Sequence, residues 1–205
     1  MWSWLSEHSA SIQAAGGIVT AFIWIVYLQI FVSSFRRQRQ SEILIYTGGT
    51  SRANPRIFVS NLGFESIYIL EIMLTLQSSE VRGEASVIDR NEIDEHDLAS
   101  TYDSTLQGPL DSGGYVDIGS LDDLLSRAHN SNPDAPTGDQ TESIEIRVAA
   151  ITAATSSVVA ARREFDLSAD DGGRRVVPRT LYAKQIRSWW GRRQIERELK
   201  EKLDR

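Results

Sequence analysis

The chain contains no cysteine, which excludes disulfide staples, thiolate zinc sites and a cysteine nucleophile. Histidine is nearly as scarce, with His8, His96 and His129 each standing alone. There is no GxSxG elbow, no HExxH frame and no spacing of Ser, His and Asp that suggests a triad, so none of the common hydrolase or zinc-protease arrangements is present. Cations are sparse in the middle of the chain. From Glu71 to Glu145 there are 17 acidic residues against three arginines, whereas from Arg174 to Arg205 there are 11 basic residues against four acidic. The overall charge of −6 is therefore the difference of two unlike regions. An acidic middle repels a phosphate backbone, which argues against nucleic acid as a partner despite the basic tail.

A long uncharged run is present instead. Ala14 to Phe35 (AAGGIVTAFIWIVYLQIFVSSF) carries no ionisable Asp, Glu, Lys, Arg or His. As a helix these 22 residues span about 33 Å, enough for a hydrocarbon core of about 30 Å. Gln29 is its one strongly polar side chain. A cleavable signal peptide is the weaker reading, because MWSWLSEHSASIQ offers no Lys or Arg and the apolar run is too long. A buried helix of a soluble protein is rarely apolar around its whole circumference. Arg36, Arg37 and Arg39 follow the run directly, while the N-terminal flank offers Glu7 and His8. The positive-inside rule then puts the C-terminal side in the cytoplasm. The expected location is a cell inner membrane, single-pass, with the N-terminus outside. Gly17 and Ala21 form a small-xxx-small pair suited to helix pairing, with Gln29 a hydrogen-bonding partner, although Gly and Ala are common in spans anyway.

Behind the arginines the periodicity becomes alternating. SEILIYTGG and RIFVSN read as short strands. In SIYILEIMLTLQ, Tyr68, Leu70, Ile72, Leu74 and Leu76 fall on one face at period two. RIFVSN and SIYILEIMLTLQ read as a hairpin closed at Gly63, where a positive φ would suit the turn. IEIRVAAIT and SVVAARREFDL form a second pair, the latter with Arg163 the exception on an otherwise apolar face. RRVVP reads as an edge strand ended by Pro178, and VRGEASVID and GYVDI as weaker strands. SLDDLLSRAHN reads as a helix capped by Ser120, with Asp122 and Asp123 in its first turn. Asn130 to Thr141 reads as a flexible loop or linker. The expected class is mainly β: an N-terminal transmembrane helix, a cytoplasmic antiparallel β-sandwich and a basic C-terminal helix. The boundaries are 1–13 (outer flank), 14–35 (span), 36–40 (basic stop), 41–178 (sandwich with an acidic insert at 89–141) and 179–205 (amphipathic helix).

WIVYLQIFVSSFRRQRQSEILI followed by IFVSNLGFESIYILEIMLTL resembles a group of bacterial single-pass inner-membrane proteins. In these a short span ends in an arginine cluster, and a strand-rich domain opens with a similar hairpin. The resemblance covers roughly residues 20–77, with a fainter echo in VVAARREFDL. It implies architecture, and no catalytic role.

Candidate chemistry is thin. In NEIDEHD, Glu92 and His96 would stand at i,i+4 on a helix, a plausible metal pair that still lacks two ligands. An acidic surface segment is the plainer reading. DLSADDGG departs from the EF-hand loop because Asp171 occupies the place of the required glycine. TGGTSR has the composition of a phosphate cradle but leads into Asn54-Pro55 and a strand, not a helix. In the tail, Pro178 or Thr180 could start a helix, and Glu196–Lys200, Glu198–Lys202 and Glu201–Arg205 are i,i+4 pairs in the favourable order. Ile195, Leu199 and Leu203 make a narrow apolar line. Trp189 and Trp190 sit among Arg187, Arg192 and Arg193, a pairing that suits an anionic leaflet; the alternative is that Tyr182, Ile186 and the tryptophans pack on the domain.

Two functional classes follow. The first is a membrane-anchored, non-enzymatic interaction domain, an accessory or scaffold subunit docking a protein partner, without cofactor and able to self-associate through the span or the tail. The second is a membrane-tethered enzyme or metal-dependent sensor using Glu92, His96 and the acidic middle. A channel is disfavoured, since one span forms no pore unless many copies assemble. Orientation gives the first test. A reporter fused after Gln40 should score cytoplasmic, and replacing Arg36, Arg37 and Arg39 by neutral residues should raise the exported fraction.

Overall fold

The computed structural model describes residues 9–38, 41–49, 54–90, 104–152, 157–170 and 173–203. They fall into two compact units, Met1–Gln40 and Ser41–Arg205. The first unit contains α1 (Ser9–Gln38). Within it Gln13–Ser34 is long and apolar enough to cross a membrane, with mean hydropathy 2.0 and none of the window buried. That window starts one residue before Ala14 and stops one before Phe35. Two hydroxyls inside it bond back to the helix: Thr20 Oγ1 donates to the Gly16 carbonyl and Ser33 Oγ to the Ile30 carbonyl, both at 2.8 Å. They are thus satisfied without water. Gln29 is exposed, and a Cβ added at Gly17 would meet no atom within 4 Å, so the Gly17–Ala21 face stands open.

The second unit is strand-rich, and its strand pairings are antiparallel. A smaller sheet has the order β1 (Ile43–Gly48), β2 (Arg56–Asn61), β6 (Tyr115–Ser120). A larger one has the order β10 (Lys184–Gln185), β8 (Val158–Asp170), β7 (Ser143–Thr152), β3 (Ile67–Gln77), β4 (Arg82–Ser86). There β5 (Gly108–Leu110) adds to β3, and β9 (Gly173–Pro178) to β8. One buried core takes Ile45, Ile57, Val59 and Ile118 from the smaller sheet and Ile72, Leu74, Ile146, Val148 and Phe165 from the larger. The acidic middle is woven into this core, because α2 (Leu121–Ser131) buries Leu121, Leu124 and Ala128 there.

The expected hairpin of RIFVSN with SIYILEIMLTLQ does not form. β2 pairs with β1 and β6, and β3 with β4, β5 and β7. Asn61 is the reason. It is fully buried, its Nδ2 donates to the carbonyls of Glu65 (2.8 Å) and Leu110 (3.1 Å), and its Oδ1 accepts from the Gly63 N–H (3.0 Å). This satisfied amide carries the chain from one sheet to the other. Gly63 serves by close approach and not by positive φ, since a Cβ there would lie 3.1 Å from Ser41 Cα. The positive φ values belong to Gly49, Gly113 and Gly119.

The apolar face of β3 also differs from the period-two reading. The β3–β7 register shifts between Ile69 and Glu71. Before this bulge the core side chains are Ile67 and Ile69; after it they are Ile72, Leu74 and Leu76, and Tyr68 is exposed. One inserted residue exchanges the faces. Side chains satisfy the displaced backbone: Gln107 Nε2 donates to the Leu70 carbonyl (3.1 Å), and the Ile72 N–H donates to Glu71 Oε1 (3.1 Å).

α2 is capped as its sequence suggests. Ser120 accepts from the Asp123 N–H, and Asp123 accepts from the Ser120 N–H at 2.8 Å. Burial alone would raise the Asp123 carboxyl, but the Ser120 hydrogen bonds, with Arg127 and Arg56 near, hold it below its ordinary value. The following segment is no linker. Asn132 Nδ2 donates to the Glu84 carbonyl (3.1 Å), Ala135 is buried, and a Cβ on Gly83 would come within 2.7 Å of it.

Arg163, the exception on β8, points inward. It is 7% exposed, opposite Ile146, and donates to the main-chain carbonyls of Ile45, Thr180 and Leu181. Gln185 works beside it, with Nε2 donating to the Ile43 carbonyl (2.6 Å) and Oε1 accepting from the Ile43 N–H (3.2 Å). These two side chains occupy the outer edge of β1, which would otherwise present unpaired backbone groups. Burial lowers the Arg163 pKa from its ordinary value.

Ile72→Ala or Leu74→Ala should cost ~2–5 kcal/mol in urea unfolding, because each leaves a cavity in the shared core. Tyr68→Ala, on the opposite face, should change stability by less than about 1 kcal/mol.

Candidate functional site

The outward face of the larger sheet carries an arrangement of charge that the strands cannot neutralise by themselves. Register sets Arg147 opposite Arg162 and Glu145 opposite Glu164, and like charges directly across a ladder repel. Relief comes diagonally and from outside. Arg162 reaches Glu145 at 3.2 Å, Arg179 reaches Glu164 at 3.2 Å, and Arg147 reaches Glu198 at 2.7 Å. Glu198 belongs to α3 (Trp189–Leu203). The tail is thus a counter-ion for the sheet.

α3 starts later than Pro178 or Thr180, because Arg163 holds the Thr180 and Leu181 carbonyls in a turn. Ser188 caps it: its Oγ accepts from the Gly191 N–H (3.1 Å) and its carbonyl from the Arg192 N–H (3.0 Å). Gly191 is required by closeness, since a Cβ would stand 2.6 Å from Ile186 Cγ2. From that contact the helical phase turns Ile195 and Leu199 onto Ala149, Val158 and Ala160. Glu198 and Lys202 also face the sheet, so the expected Glu198–Lys202 pair gives way to Arg147–Glu198 and Lys202–Glu71 (2.8 Å). Glu71 is nearly buried, and its Oε1 also accepts from Ser86 Oγ at 2.6 Å. A cleft of about 190 Å³ lies beside these groups, bordered by Met73, Glu84 and Glu201. A second, of about 130 Å³, lies among the paired charges near Glu145 and Arg162.

The same phase turns the tryptophans outward. Trp189 is 56% and Trp190 78% exposed, and Tyr182 is exposed too. Only Ile186 of the residues expected to pack on the domain does so. The indoles meet edge to face at 4.7 Å, and the Arg193 guanidinium lies 4.6 Å from the centroid of Trp189. Arg187 is exposed and Arg192 half-buried.

Register defines two ends of the second unit. Ile43 lies opposite Asn61, Ser60 opposite Tyr115, Ile67 opposite both Leu110 and Thr152, and Ile151 opposite Val158. One end therefore gathers the start of β1, the Asn61–Ser66 crossover, the β5–β6 turn and the start of β8. β10 runs antiparallel to β8, so the chain after Gln185 heads for that end as well. Its exposed apolar side chains include Leu62, Phe64, Tyr115, Trp189 and Trp190. Leu62 and Phe64 were missed in the sequence, although two large apolar residues flanking the glycine of an Asn-initiated turn were a readable signal. Tyr115 also closes a cross-strand row with Phe58 and Tyr46, at 6.1 and 5.3 Å.

Glu92, His96 and Arg39 lie outside the described residues, as do the side chains of Phe35, Arg36 and Arg37. Among the described residues no group of three or more His, Asp or Glu is placed to hold a metal ion. Comparison with protein families, with curated proteins and with solved structures finds no match.

The contact of α3 rests on apolar burial more than on its ion pairs. Ile195→Ala should speed amide hydrogen exchange throughout the helix, at a cost of ~2–4 kcal/mol. Glu198→Gln should cost about 1 kcal/mol or less, because both partners of that pair keep contact with water.

Proposed function

We propose that this chain is a membrane-anchored, non-enzymatic interaction module: α1 crosses a cell inner membrane once, and the second unit, a β-sandwich on the cytoplasmic side, docks a protein partner. The observation that carries the reading is the apolar helix exposed along its whole hydropathic window. An apolar surface of that length matches the hydrocarbon thickness of a bilayer. Internally satisfied hydroxyls suit a lipid surrounding. Cytoplasmic orientation rests on Arg36, Arg37 and Arg39, and an accessory or scaffold role on the structural employment of the charged side chains. Arg147, Arg162, Arg179, Glu71 and Glu198 each hold elements together. The open Gly17–Ala21 face offers a route to self-association.

Carbonate washing and affinity capture from solubilised membranes test this. The chain should stay in the membrane pellet and bring down a defined protein, or a second tagged copy of itself. Release by carbonate would overturn the anchor. Stoichiometric metal in the purified protein, lost on Glu92→Gln or His96→Gln, would overturn the non-enzymatic reading in favour of a metal-dependent sensor.

A further inference from the structure

Building on that membrane-anchored reading, we infer that the end of the second unit bearing Leu62, Phe64, Trp189 and Trp190 seats itself on an anionic lipid surface. The first ground is the length of chain. The apolar window ends at Ser34 and the second unit begins at Ser41, so six residues join them. Even if all six were extended they would reach no more than about 25 Å, and α1, which runs to Gln38, shortens that further. A folded body of 165 residues (Ser41–Arg205) has a radius of gyration near 15 Å and a diameter of roughly 40 Å. In the membrane-anchored reading, a joining stretch this short keeps the point of chain entry at Ser41 near the bilayer.

The second ground is what that attachment end displays. Ser41 lies 3.1 Å from a Cβ built on Gly63, and the Leu62 N–H donates to the Glu42 carbonyl at 2.7 Å. Leu62 and Phe64, the latter 77% exposed, thus flank the point of chain entry. On the other side Ile43 is held by Gln185 through both its N–H and its carbonyl. Four residues on, the chain reaches Trp189. Leu62 therefore borders the first residues of the second unit directly, and Trp189 follows shortly after the Gln185 that clasps Ile43.

The third ground is chemistry. Indoles prefer the headgroup level, where one edge is wet and the ring body is not. Arg193 stacked on Trp189, with Arg187 and Arg192 beside it, supplies cations to the same level. Glu42, Glu65 and Asp111 are the acids at this end, and they lie on the Leu62–Phe64 side. Electrostatic attraction is accordingly assigned to the tryptophan side and apolar insertion to the Phe64 side. A protein partner of mixed charge would find no reason for this division.

Because the chain lacks cysteine, a single introduced thiol reports one site. The full chain, carrying Phe64→Cys or Val81→Cys with an environment-sensitive dye, is placed in lipid nanodiscs containing phosphatidylglycerol and spin-labelled lipid. Val81 follows β3 at the opposite end of the unit and is also exposed. The Phe64 site should be quenched at least about threefold more than the Val81 site. Trp189→Ala with Trp190→Ala should lower that ratio by about half, as should added salt, with the thermal midpoint unchanged because both indoles are exposed. Equal quenching at the two sites overturns the inference and leaves this end to a protein partner. So does a ratio that ignores both the tryptophans and salt. Failure of the anchor is seen separately, as a chain that does not enter the discs at all.

Discussion

A buried guanidinium without a carboxylate holds this fold together. Arg163 sits on the core face of β8, and its two Nη groups donate to the carbonyls of Ile45, Thr180 and Leu181. Carbonyl dipoles are poorer counter-ions than a carboxylate, so the charge stays expensive to bury and its pKa is lowered. What that cost secures is geometry. A planar fork can hold carbonyls from two separate strand systems in a way an ammonium cannot. It ties the edge of β1 to β8 and stops the chain after Pro178 from becoming helical. Ala183 is then buried, Gln185 clasps Ile43, and α3 begins where Ser188 can cap it.

The electrostatics of the outer face follow from the same registration. Once β7 and β8 align with Ala161 opposite Val148, Arg147 must face Arg162 and Glu145 must face Glu164. A sheet left so would repel itself along its middle. Arg179 and Glu198 come from segments that β8 and its contacts have already positioned, and they supply the missing opposite charges. On the same surface Lys202 with Glu71 joins the basic tail to the acidic middle. This accounts for ionisable side chains that look available in the sequence and prove to be structural.

Positional polarity is the other consequence. Antiparallel strands give a domain two ends, and the connections here treat them differently. Close packing and buried amides gather at the end where the chain enters: Asn61, Gly63 and Gln185 all act within reach of Ser41. Large apolar side chains, Phe64 and Trp190 among them, are then exposed around this packed frame.

The sequence by itself determined the long apolar helix, most of the strands and the capped helix at Ser120. Each of these is written in local periodicity or in one capping interaction. It did not determine which strands pair, which face of β3 is buried or which way Arg163 points. Those rest on one inserted residue at Leu70, on the Asn61 side chain meeting the Leu110 carbonyl, and on the Ile45 carbonyl 118 residues away in the chain. The exposure of the tryptophans was likewise a tertiary decision. A helix whose phase is fixed by Gly191 against Ile186 turns Ile195 inward, and its first two residues outward, whatever their hydrophobicity.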